Sequence, residues 1–87
     1  MDLQMGTATY EGETDEHGRR HGRGKLQYAD GSWYDGDWDC GLRHGVGEFH
    51  QQSGGGGVTV YKGQWYNDLK HGIGIETYPQ PFHMEYN

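Results

Sequence analysis

A chain of 87 residues with only 31% hydrophobic side chains forms one domain at most, and at that length it buries only about 60–65% of its extended surface. Its 17 glycines exceed the usual share of roughly 7%, and aromatics make up 14% of the chain, so rings must supply most of the apolar burial. A formal charge of −6 argues against nucleic acid and anionic lipid as general partners, since both demand a basic face.

Residues 1–9, "MDLQMGTAT", lack the basic start and apolar segment of a signal peptide, and no apolar run approaches the ~20 residues of a spanning helix. The single cysteine, Cys40, allows no internal disulfide and fits a reducing compartment. The expectation is an N-terminal extension on a soluble intracellular chain.

From Tyr10 the sequence repeats. The copies read "YEGETDEHGRRHGRGKLQYADGSW", "YDGDWDCGLRHGVGEFHQQSGGGGVTV" from Tyr34 and "YKGQWYNDLKHGIGIETYP" from Tyr61, so the tyrosines stand 24 and 27 residues apart. We place the repeats at 10–33, 34–60 and 61–79 and a tail at 80–87. The first copy carries one extra residue before its His21, and the second is lengthened by "QQSGGGG".

Each copy holds two period-two segments parted by turn residues, the pattern of a β-hairpin. In the second, Tyr34, Gly36 and Trp38 share one face and Asp35, Asp37 and Asp39 the other; in the third, Tyr61, Gly63 and Trp65 oppose Lys62 and Gln64. The turns fall in "DCGLRHG" and "YNDLKHG", where Gly41, Asn67 and Asp68 tolerate turn dihedrals, and the return strands run "GKLQY", "GEFHQ" and "GIETY". Asp30-Gly31 is a turn signal into the next strand. Gly12, Gly36 and Gly63 mark places where a ring from a neighbouring hairpin lies over bare backbone. Helix is disfavoured throughout the repeats by the glycines, each costing ~1 kcal/mol in a helix interior.

The composition also tests chemistry. His21, His44 and His71 recur in register, but equivalent positions two strands apart are separated by roughly 9–10 Å, too far to converge on zinc at ~2.0–2.1 Å. Each is expected to bond locally and cover its own hairpin turn. His17, His50 and His83 lie outside the register and are expected in solvent. "DGDWDCG" fails as a calcium loop at Cys40 and Val46, and "HGRGKL", "HGVGEF" and "HGIGIE" lack the third glycine of a dinucleotide loop and the Lys-Ser/Thr of a P-loop. The tetraglycine Gly54–Gly57 suits a flexible hairpin tip. Cys40 near His44 sits in acidic surroundings that disfavour a nucleophilic thiolate. The expectation is no enzyme, no cofactor, no metal and no small-molecule substrate.

Tyr34-Gly36-Trp38 with His44-Gly45-Gly47, and Tyr61-Gly63-Trp65 with His71-Gly72-Gly74, closely resemble the MORN repeat family. The first copy departs at Thr14, where the family has Trp, and the third has Asp68 in place of the turn glycine. The resemblance covers nearly the whole chain. It implies an all-β fold, an elongated, twisted, single-layer antiparallel sheet of about three hairpins. A narrower likeness, "YEG…RHGRG" with its extra residue, is to radial spoke head proteins of motile cilia, and implies a scaffold role in a ciliary or flagellar axoneme.

Such a sheet exposes its faces and leaves strand edges unpaired, so protein partners are expected rather than membrane. Against anionic lipid the sequence offers only the stretch from Arg19 to Lys25; phosphoinositide binding, or a fragment of a larger protein, is the alternative. Tyr34, Trp38, Tyr61, Trp65 and Tyr78 are candidates for a surface that seats a peptide or helix, set against the simpler reading that the rings pack on one another. Arg20, Arg43 and Lys70 place one cation at the same point of every repeat, expected to face outward toward an acidic partner. Phe82, Met84 and Tyr86 in the tail are expected to cap the last hairpin.

Overall fold

The computed structural model describes residues 8–52 and 57–78. These form six strands, β1 (Thr9–Thr14), β2 (Arg20–Gln27), β3 (Trp33–Asp39), β4 (Leu42–Gln52), β5 (Val58–Tyr66) and β6 (Leu69–Thr77). They pair in chain order as one antiparallel sheet. Extents of 58 × 40 × 16 Å fit a single layer. The expected hairpin tip at residues 53–56, the tail with Phe82, Met84 and Tyr86, and His83 lie outside the described residues.

Two of the hairpins close in two-residue turns. Cys40 and Gly41 have φ of 51° and 90°, Asn67 and Asp68 of 47° and 74°. Positive φ at both central residues matches the right-handed twist of the flanking strands, which is why such turns select Gly, Asn and Asp. The extra residue of the first copy lengthens its connection to Asp15–Arg19, closed by Asp15 N–H to Arg19 O at 2.9 Å. The Asp30-Gly31 turn forms as expected: Gly31 has φ +96°, and Ser32 N–H donates to Asp30 Oδ1 at 2.8 Å.

The return strands begin earlier than expected, at Arg20, Leu42 and Leu69, so the His-Gly segments are strand rather than turn. The glycine after each histidine bulges. Between Gly36↔Gly47 and Trp38↔Arg43, β3 advances two residues and β4 four, and Gly45 in that bulge has φ +85°. Only glycine adopts this without strain. Asp37 closes the bulge by accepting from Val46 N–H at 3.0 Å, and Gln64 does the same for Ile73 N–H at 2.7 Å.

The alternation sorts side chains onto two faces. On one, Leu26, Tyr34, Trp38, Tyr61 and Trp65 form the buried core, with Tyr10, Tyr28 and Phe49 packed against it. The rings meet edge to face, Tyr34 with Trp38 at 4.9 Å and with Trp65 at 5.4 Å between centroids, each such pair worth about 0.5–1.5 kcal/mol beyond burial. A sheet with no second layer thus builds its core from rings packed edge to face along it. The other face carries charge in cross-strand register. Lys25 pairs with Asp35 and Arg23 with Asp37, the latter at 3.4 Å, so the basic and acidic stretches of the sequence interleave in space.

Candidate functional site

The tyrosine of each hairpin lies over the glycine of its own return strand. A Cβ at Gly47 would overlap the Tyr34 ring, and Tyr34 OH donates to Asp37 O at 2.9 Å. Tyr10 and Tyr61 repeat this with Glu13 O and Gln64 O at 2.6 and 3.0 Å. The ring over bare backbone therefore comes from the same hairpin, not from a neighbour. Burial pushes the Tyr34 phenol up from its ordinary pKa, keeping it a neutral donor.

The tryptophan reaches the other way. Trp38 Nε1 donates to Gly24 O at 3.0 Å and Trp65 Nε1 to Gly47 O at 3.3 Å, each indole entering the preceding hairpin. The preceding hairpin answers with its Arg-His pair. His21 Nδ1 accepts from Cys40 N–H and His44 Nδ1 from Asn67 N–H, both at 3.3 Å. Arg20 O accepts from Gly41 N–H and Arg43 O from Asp68 N–H, both at 2.8 Å. The histidines thus cover the next hairpin's turn, not their own.

The same geometry overturns the outward placement of Arg20 and Arg43, while Lys70 is exposed as expected. The Arg43 side chain is only 19% exposed; its Nε bonds Asp68 Oδ1 at 2.8 Å and its guanidinium lies 4.5 Å from the Trp65 ring centroid. Arg20 lies 4.8 Å over Trp38. Both cover the aromatic face, where stacking on indole stabilises a partly desolvated cation by about 0.5–2 kcal/mol. Desolvation raises the Asp68 pKa, but the bonds from Arg43 outweigh it and leave the carboxyl below its ordinary value. Lys70 sits 5.1 Å over Tyr61, bonded to Glu76 at 2.9 Å.

Of the ring candidates, Tyr34, Trp38, Tyr61 and Trp65 are buried, while Tyr78 is 63% exposed at the end of the last strand. Trp65 nevertheless borders an open cleft of about 610 Å³ on the aromatic face, with Arg43, Phe49, Gln51, Asp68, Leu69 and Lys70. A smaller one of about 260 Å³ shares Arg43, Phe49 and Gln51 and extends it toward Tyr28, Asp30 and Ser32. Three sequence candidates, Trp65, Arg43 and Lys70, therefore meet in one place. Phe49 and Leu69 were missed; the signal for Phe49 was its even spacing from Gly47, which puts both on the aromatic face.

Two features outside this face bear on chemistry. Asp15, His21 and Cys40 bring ligand-type atoms within 4.8 Å of one another. Their bonds account for the convergence: Asp15 accepts from His17 N–H, Arg19 N–H and Arg19 Nε, and His21 Nδ1 is taken by Cys40 N–H. Burial opposes the Asp15 charge, yet the backbone bonds from Arg19 and His17 hold its pKa down at about 2. His50, expected in solvent, instead stacks on Trp33 at 3.8 Å and bonds Glu48 at 3.0 Å, while His17 is exposed. No helix among the described residues is long and apolar enough to cross a membrane.

A family model described as MORN repeat matches residues 16–33, 34–56 and 61–80. MORN repeat-containing protein 3 of Xenopus laevis is 44% identical over 62 residues, 68% of this chain and 26% of that protein. ALS2 C-terminal-like proteins of Bos taurus and Homo sapiens are 37% and 35% identical over 84% and 86% of this chain. The chain spans 26%, 10% and 11% of the lengths of these relatives.

Proposed function

This chain belongs to the MORN repeat family, whose members generally serve protein and membrane interactions without catalysis, and we propose that it is a scaffold that holds protein partners on its aromatic face, within a ciliary or flagellar axonemal complex. The observation that carries the proposal is the cleft bordered by Phe49, Trp65 and Leu69 on apolar sides and by Arg43 and Lys70 on polar ones. Its floor is rigid, because Trp65 and Arg43 are both fastened to the neighbouring hairpin. Its rim is exposed, with Leu69 at 68%. Rigid aromatic floors with a polar rim are the anatomy of a protein-binding hot spot. The occupant that fits is a peptide or amphipathic helix of a partner subunit.

Support for the axonemal setting is the likeness of the first repeat, with its extra residue, to radial spoke head proteins. The test is capture from ciliated and non-ciliated cells by the wild-type chain and by Leu69→Glu, which alters the rim and leaves every joint between hairpins intact. Axonemal subunits retained by the wild type alone support the proposal. Equal capture by both forms removes the cleft, absence of axonemal subunits removes the setting, and flotation with phosphoinositide vesicles at physiological salt favours a membrane adaptor.

A further inference from the structure

The two joints between hairpins use one set of groups, and β6 carries that set again with no following hairpin among the described residues. In each joint the leading hairpin offers a glycine carbonyl to an indole N–H, a histidine Nδ1 and an Arg carbonyl to two turn N–H groups, and a cation over the indole. On β6 the counterparts are Gly74 O, His71 Nδ1, Lys70 O and Lys70 Nζ. Every residue of β6 is exposed, Ile73 at 80% and Ile75 at 70%. Gly22–Gln27 pairs with β3 and Gly45–Gln52 with β5 over the equivalent stretch, so residues 72–77 present the same ladder, unpaired on one side among the described residues.

We infer that the β6 edge is a docking site for a β-hairpin of another polypeptide whose first strand reads Tyr-x-Gly-x-Trp and whose turn has two residues. The chemistry fixes this occupant. In the register of the existing joints the incoming glycine faces Gly74, its tryptophan faces Gly72, and its x residues lie across from Ile73 and Ile75. A head-to-tail second copy does not fit. Its leading strand has Thr14 where the indole belongs, and its connection is the long Asp15–Arg19 loop, whose Asp15 N–H is already given to Arg19 O. The first hairpin thus lacks the donor set of an incoming hairpin, while β6 carries the full acceptor set. Residues 79–87, "PQPFHMEYN", hold neither glycine nor tryptophan and cannot supply the motif. The site does not depend on the cleft proposed above.

The probe is a cyclised synthetic peptide of residues 58–78, labelled at one end, with Ile73→Lys and Ile75→Lys so that it cannot accept a further hairpin itself. Titration of the full chain, followed by anisotropy, is expected to show saturable one-to-one binding. Trp65→Phe in the peptide, or His71→Ala in the chain, each removes one hydrogen bond and is expected to weaken binding about three- to tenfold. His71 is exposed, so the chain variant keeps its fold. The inference is overturned by the absence of saturable binding or by binding indifferent to both substitutions. It is equally overturned if only a chain ending at Tyr78 binds, which makes the tail the occupant, or if the chain self-associates and excludes the peptide.

Discussion

The joint between hairpins one and two and the joint between two and three are built from the same motif and differ in the turn they clamp, Cys40-Gly41 in the first and Asn67-Asp68 in the second. In the second, Asp68 takes the Arg43 guanidinium through Nε at 2.8 Å; in the first, Gly41 stands at that turn position, and Arg20 reaches only Gly41 O, through Nη2 at 3.3 Å. Arg20 Nε is left buried without a partner among the described residues. The turn residue settles a conflict between backbone and side chain. Gly41 holds φ +90° freely but offers no acceptor, whereas Asp68 supplies the acceptor and bears φ +74° as a non-glycine residue. The repeat thus tolerates either solution, provided the ring-on-glycine packing beneath is kept.

That packing within each hairpin, and the indole that reaches from each into the hairpin before it, are common to both joints, and disturbing either should have the largest effect. Trp65→Ala removes a buried ring, its bond to Gly47 O and the stack under Arg43, and should cost about 3–5 kcal/mol in urea unfolding. In a sheet this thin that is enough to unfold the third hairpin. Gly47→Ala comes next: its Cβ overlaps the Tyr34 ring, so a loss of about 1–3 kcal/mol is expected. A negligible change at Gly47 would break the account of the shared packing.

The difference between the joints is sharpened by exchanging the turn residues. Asp68→Gly should destabilise by about 1 kcal/mol, since Arg43 then loses a charged acceptor in a partly buried place. Gly41→Asp should be neutral or stabilising by about 0.5–1 kcal/mol, because a carboxylate for Arg20 Nε offsets the positive φ. Thermal unfolding of the two variants reads both signs. The smallest effect is on pH dependence. The folded pKa of Asp68 is lowered, so its contribution is fully present above the unfolded value of about 3.9 and is lost as pH falls through the folded one. Asp15, at about 2, acts in the same direction. Urea midpoints should fall below about pH 4, and less steeply in Asp68→Gly.

How much of this was legible in the sequence depends on whether a feature is local. The turns at Gly41, Asn67-Asp68 and Asp30-Gly31 and the glycines of close approach follow from short local stretches, while the single sheet came from the resemblance to MORN repeats. The clamp follows from neither. His21 bonds a turn 19 residues on and His44 one 23 residues on, distances that only the cross-strand register sets. Arg43 was misplaced for a different reason. Four residues before Gly47 it has the parity of the aromatic face, but that holds only if "RHGVG" is strand, and two glycines parted by one residue after a histidine read as turn. The bulge at Gly45 reconciles the two: it absorbs two residues and so preserves parity. The cleft was only half visible, because Leu69 reaches it from beyond the turn.

The central claim is that "RHGVG" is an inter-hairpin clamp and not a solvent-facing row of cations. A double-mutant cycle between Arg43→Met and Asp68→Asn tests it most directly, measured by urea unfolding at neutral pH. A coupling of about 1 kcal/mol between residues 25 apart in sequence is the predicted result. Additivity within about 0.5 kcal/mol would contradict it, returning Arg43 to solvent and the clamp to coincidence.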